Sequence, residues 1–145
     1  MRILIINGPS LNLLGVREPE IYGHNTYLDL ESTLNRFAKE NKLELDIHQT
    51  NYEGIVIDLL QHAHHKNYDA VLLNAAALSH YSYAIYDAIK SIRIPVIEVH
   101  LTNPKNRPET FRHISVIEPV CIKTFSGEGF NSYINALRYL LEAKS

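Results

Sequence analysis

Glu98 and His100 stand two residues apart at the end of an apolar run that begins at Pro95. On a strand that spacing sets both side chains on one face. A carboxylate beside an imidazole orients the ring and favours its protonated form, which suits a general acid near neutral pH. A lone histidine at a strand end is more often structural; the same-face glutamate tips this one toward function. Arg17 and Tyr22 lie five residues apart between Gly15 and Gly23. A guanidinium near a phenol favours the phenolate and makes the tyrosine a candidate base. The other reading is a surface loop with a packed tyrosine and a solvated arginine. Asn74 ends a second apolar run, where its amide binds a ligand hydroxyl or caps a turn. His80, six residues on, falls in the first turn of the next expected helix, where a charged imidazole is disfavoured, so it reads as a hydrogen-bonding group. Arg107 and Arg112 follow His100, and a forked guanidinium is the usual partner of a carboxylate substrate when it is not simply solvated in a loop. A tyrosine base, a histidine acid and neutral hydrogen bonders together suit proton abstraction and elimination on a polar, oxygen-rich small molecule. No cofactor is called for.

Those residues need a frame that brings them together. Residues 2–7 are an apolar, branched burst ended by Gly8-Pro9, the pattern of a buried strand. A long connection follows, with a lid expected over about 16–24. Residues 27–41 show helical spacing behind a cap at Asn25 or Thr26, and 43–47 alternate like an edge strand. A helix is expected over 55–65, a strand over 69–74, and a helix from Ser79-His80 to about Ile92. Strands over 95–99 and near 120–123 and a last helix over 131–143 complete the chain. Strands apolar on both faces, alternating with helices, argue a parallel sheet covered on both sides. Five of them in this order suit the flavodoxin-like doubly wound fold. Ligands in such sheets sit beyond the carboxyl ends of the strands, the edge at which Asn7, Gln49, Asn74 and His100 all emerge.

The bulk properties narrow the class. The 145 residues fit one catalytic domain, 1–145, with 46% apolar and 21% charged residues. A net charge of −2 gives no basic footprint for nucleic acid, and no basic amphipathic helix points to a membrane. Neither a leader nor a spanning segment is evident, and the single cysteine, Cys121, excludes an intrachain disulfide. A cytoplasmic protein is expected. His62, His64 and His65 lack acids or cysteines at ligand spacing and read as surface residues, so no metal site is expected. There is no glycine-rich phosphate loop and no recognisable nucleophile motif.

The stretches Asn7–Gly15, Arg17–Gly23, Gln49–Gly54 and Glu98–Asn103, with Phe111-Arg112 and the pair Gly127 and Gly129, resemble the type II 3-dehydroquinate dehydratases. The resemblance spans essentially the whole chain. It implies anti elimination of water from 3-dehydroquinate through an enolate, giving 3-dehydroshikimate, in the shikimate pathway of aromatic amino acid biosynthesis. By position, Tyr22 is the base at C2 and Arg17 holds it as phenolate. His100 is the acid for the C1 hydroxyl, with Glu98 orienting it. Asn74, His80, Arg112 and the backbone amides of Leu101 and Thr102 bind the substrate, and Asp87 reaches a neighbouring subunit's site. The implied assembly is a homododecamer of four trimers, without metal or Schiff-base lysine. Ser10 stands where the family usually has an asparagine that holds the enolate-stabilising water. Ala75-Ala76 replace proline and then glycine or alanine, Thr50, Tyr81 and Ser132 replace serine, threonine and glycine, and Pro108 lengthens its segment by one residue. Two other readings share this layout: a divergent member with weak or altered activity, and a flavodoxin-like small-molecule binding protein.

Overall fold

Five parallel strands form one sheet. The structure is a computed structural model and describes residues 1–144. Its strands are β1 (Arg2–Asn7), β2 (Glu44–Gln49), β3 (Ala70–Asn74), β4 (Val96–Val99) and β5 (Lys123–Phe125), in the order β2-β1-β3-β4-β5. That is the expected flavodoxin-like winding. The helices are α1 (Pro19–Tyr22), α2 (Tyr27–Glu40), α3 (Glu53–His65), α4 (Tyr83–Ser91) and α5 (Phe130–Lys144). No helix among the described residues is long and apolar enough to cross a membrane.

The alternation along each strand explains the two layers. Ile3, Ile5, Leu72, Ile97 and Val99 share a cluster with Leu30 and Leu34 of α2 and Tyr133 and Leu137 of α5. Leu4, Ile6, Val71, Leu73 and Val96 face the other way, onto Val56 and Leu60 of α3 and Ile85 and Ile89 of α4. Each fully buried leucine or isoleucine contributes about 1.5–3 kcal/mol of transfer free energy. By the same period-two rule Glu98 and His100 lie on the α3/α4 side of the sheet.

Several boundaries differ from the sequence expectation, each for a local reason. The expected helix from Ser79 is two pieces, a 3-10 turn over Ala76–His80 and then α4. Ser82 starts α4, its Oγ accepting from the Ile85 N–H at 3.1 Å, whereas the Ser79 hydroxyl donates to Ala76 O at 2.8 Å. The last strand comes three residues later than expected, because Glu118–Val120 form a 3-10 turn with a proline in it. As an edge strand, Lys-Thr-Phe needs no apolar run. The segment over about 16–24 contains the four-residue α1, opened by Pro19. His62 and His65 are exposed on α3 and His64 is half-buried.

At the carboxyl edge the exits of β1 and β3 nearly touch. The Gly8 N–H donates to Asn74 O at 2.7 Å, and a Cβ on Gly8 would stand 2.7 Å from Ala75 O. Only glycine lets the chain leave β1 there.

Candidate active site

The floor of the site is a buried ladder of amides and a phenol. Asn7 and Asn74 are register partners at the ends of β1 and β3. Tyr133, fully buried on α5, donates its hydroxyl to Asn7 Oδ1 at 2.6 Å and accepts from Asn74 Nδ2 at 2.8 Å. Asn7 Nδ2 donates to the Tyr27 hydroxyl at 3.3 Å, and Asn74 Oδ1 accepts from the Ala76 N–H at 3.2 Å. Asn74 is thereby locked in one orientation, with one amide hydrogen left to give. Burial pushes the Tyr133 phenol far up, against the Asn74 hydrogen bond, so it stays neutral. Sequence reasoning passed over Tyr133 because an aromatic on an amphipathic helix looks like ordinary core.

Over this floor the α1 segment brings Tyr22 into the cleft. The Arg17 guanidinium lies 4.8 Å from the centre of the Tyr22 ring, against its face. The hydroxyl itself receives a hydrogen bond from Arg107 Nη1 at 2.7 Å. Arg107 is 8% exposed and also pairs with Glu18 Oε2 at 3.1 Å, while His113 Nε2 donates to its carbonyl at 2.6 Å. Burial opposes the charge on Arg107, but Tyr22, Glu18 and Glu109 outweigh it and the guanidinium stays protonated. The sequence left Arg107 as a carboxylate partner or a solvated loop residue. Its buried link to Tyr22 had no sequence signal, because 85 residues separate the two.

The opposite wall holds the histidines. His100 Nε2 meets Glu98 Oε2 at 2.8 Å, with Glu98 wholly buried. Burial raises the Glu98 carboxyl, yet hydrogen bonds and charge from His100, with Ser115 and Thr124, set it below its ordinary range. His80 Nδ1 lies 2.8 Å from Ile114 O. A carbonyl only accepts, so Nδ1 carries the hydrogen and Nε2 offers a lone pair. Burial lowers the pKa of His80, helped by His100 and Arg112 and opposed by the Ile114 contact. A charged ring is thus disfavoured by burial and neighbouring positive groups rather than by a helix N-terminus. His80 ends a 3-10 turn and does not open a helix. Arg112 stacks over the Phe111 ring at 4.8 Å and pairs with Glu109 at 3.3 Å.

One cleft gathers these groups. It is lined by Arg17, Tyr22, Asn74, His80, His100, Leu101, Thr102, Arg107 and Arg112, with Leu11, Ala76, Ala77 and Pro104 between them. Glu98 lies behind His100 and outside the lining. Ser10 is not in the lining either; its N–H donates to Asn51 Oδ1 at 3.0 Å from a left-handed backbone, φ 69°. Asp87 is exposed on α4, apart from the cleft of its own chain. A phenol held by a guanidinium and an imidazole held by a carboxylate therefore share one polar cavity, the equipment of a base and an acid.

The sheet order and the cleft at its carboxyl edge define an α/β protein of the doubly wound kind, with a small-molecule site where the winding reverses. The family is more specific. The model described as dehydroquinase class II matches residues 1–141, and the chain belongs to that family. It is 50% identical over 143 residues to a 3-dehydroquinate dehydratase of Bacillus licheniformis, covering 99% of this chain and 97% of that one. It is 49% identical over 141 residues to the 3-dehydroquinate dehydratase of Caldicellulosiruptor bescii, covering 97% of each. The crystal structure of type II dehydroquinase from Butyrivibrio crossotus superposes with a TM-score of 0.94 at 46% identity, covering 97% of both chains.

Proposed function

We propose that this chain is a hydro-lyase that removes water from 3-dehydroquinate to give 3-dehydroshikimate, in the shikimate pathway of aromatic amino acid biosynthesis. The observation that carries the reading is the shared cleft, with Tyr22 on Arg107 and His100 on Glu98, in a whole-chain member of the dehydroquinase family. Membership of that family over residues 1–141 disfavours the flavodoxin-like binding protein.

The Tyr22 phenolate, beside Arg17 and Arg107, takes a proton from C2, and the electron pair moves onto the C3 carbonyl oxygen as an enolate. The enolate then collapses and expels the C1 hydroxyl, which leaves as water with a proton from His100. Glu98 orients the ring and balances its charge. Arg112 meets the carboxylate of the substrate, whereas Asn74 and His80 meet hydroxyls, the His80 Nε2 lone pair accepting from one. The backbone amides of Leu101 and Thr102 complete the grip. Ser10, outside the cleft lining, takes the position of the family's asparagine and donates through water to the enolate side. Residues 1–145 act as one catalytic domain with a lid over about 16–24, and the protein works in the cytoplasm. A homododecamer of four trimers, in which the exposed Asp87 reaches a neighbouring site, completes the reading.

The test is an ultraviolet assay for the conjugated enone of 3-dehydroshikimate, with Tyr22→Phe beside the parent. Product from the parent and almost none from the variant supports both reaction and base. No product from the folded, assembled parent overturns the reading. Sedimentation of the pure protein decides the assembly.

A further inference from the structure

Glu98 holds two hydroxyl groups that no step of the elimination uses. Ser115 Oγ donates to Oε2 at 2.6 Å, the oxygen that also meets His100, and Thr124 Oγ1 donates to Oε1 at 3.2 Å. Both contacts are built into the fold. Thr124 is the register partner of Glu98 across β4 and β5, so the two side chains leave the same face. Ser115 precedes Val116, whose N–H is tied to Ser79 O at 2.8 Å, in the turn that carries His80.

One proton lies between Glu98 and His100, and its location decides the chemistry. On the ring it makes an imidazolium whose other nitrogen is a competent acid; on the carboxyl it leaves a neutral imidazole, a far poorer one. Hydrogen bonds to a carboxylate favour its charged form. A fully buried carboxylate with fewer donors would take the proton. We propose that Ser115 and Thr124 are positioning residues which, by donating to both oxygens of Glu98, keep that proton on His100. The inference rests on the reading of His100 as the acid.

The surrounding charges are mixed. Behind the pair is a polar cavity of about 140 Å³ lined by Lys105, Arg112, His113 and Glu118. His80 faces the pair from the cleft side, and the thiol of Cys121, near Glu98, is held protonated by burial. No lining cation is within hydrogen-bonding range of Glu98 among the described contacts, so the two hydroxyls are its donors besides the ring.

The test uses the full chain with 15N-labelled histidine, His100 being assigned by its loss in His100→Asn. Ser115→Ala, Thr124→Val and the double variant are compared with the conservative Ser115→Thr and Thr124→Ser. At pH 7 the ring nitrogens of His100 are expected to move from the imidazolium pattern toward the neutral one in the first three proteins and not in the last two. The accompanying loss is about tenfold in kcat for each single variant, with KM within about twofold. Unchanged His100 resonances in a folded double variant overturn the proposal, and so does an equal loss in the conservative variants. If Ser115→Ala does not fold, Thr124→Val alone carries the same reading. The resonances are read without substrate, so an inactive parent whose His100 ring still responds overturns the dehydratase reading and leaves the proton placement standing.

Discussion

Arg107 Nη1 lies 2.7 Å from the hydroxyl of Tyr22, and Arg17 covers the face of the same ring at 4.8 Å. The two cations thus differ in what they touch. One bonds the oxygen that would carry negative charge, and the other lies against the aromatic surface. Arg107→Ala is expected to reduce kcat by about 10- to 100-fold, the worth of a hydrogen bond to a charged group, with a smaller change in KM. Arg107→Lys should recover only part, since a single ammonium cannot serve both Tyr22 and Glu18. Steady-state kinetics by the enone assay checks both.

Tyr133→Phe tests the floor. It leaves Asn7 Oδ1 and Asn74 Nδ2 buried without their bridge. The expected loss of stability is about 1–3 kcal/mol. A freed Asn74 amide should also raise KM. Urea unfolding and kinetics on the same preparation measure the two effects.

His80 gives a pH dependence with a definite sign. Its pKa is lowered in the folded state, chiefly by burial, below the ordinary imidazole value of 6.5. The unfolded chain therefore binds the proton more readily, and this contribution to stability is full above about pH 6.5 and lost as the pH falls below it. His80→Asn keeps a donor for Ile114 O but does not titrate. Relative to that variant, the parent should lose stability as the pH falls below about 6.5. Thermal melts across this range measure the difference, and parallel curves would refute it.

Ala76 holds a left-handed backbone at φ 52°, directly after the Asn74 contact. Such a conformation costs an alanine roughly 1 kcal/mol. Ala76→Gly is expected to raise the melting temperature by about 2–4 °C. Gly8→Ala should do the opposite and much more strongly, because its Cβ would meet the backbone of Ala75. Differential scanning calorimetry on the pair checks the contrast.

The sequence carried most of the frame, because buried parallel strands are apolar on both faces and stand out as short branched runs. β1, β3 and β4 were legible within a residue for that reason. β5 was displaced because an edge strand of Lys123, Thr124 and Phe125 carries no such run. The His100–Glu98 pair was legible from a spacing of two on a strand. Arg107, Tyr133, Ser115 and Thr124 were not, since each reaches its partner through the tertiary fold, across 17 to 126 residues of chain. Asn74 was visible as a polar end to an apolar run, but what fixes its amide was not.

The ladder from Tyr27 through Asn7 and Tyr133 to Asn74 is made wholly of neutral groups, and both phenols are held up by burial. Nothing in it gains or loses a proton between roughly pH 5 and 9. The platform beneath a ligand is thus indifferent to acidity, and any swing of activity with pH belongs to the walls. A ligand that leaned only on the platform would bind equally well at both ends of that range. The steepness of a pH profile therefore measures how far a molecule engages Tyr22 and the histidines above it.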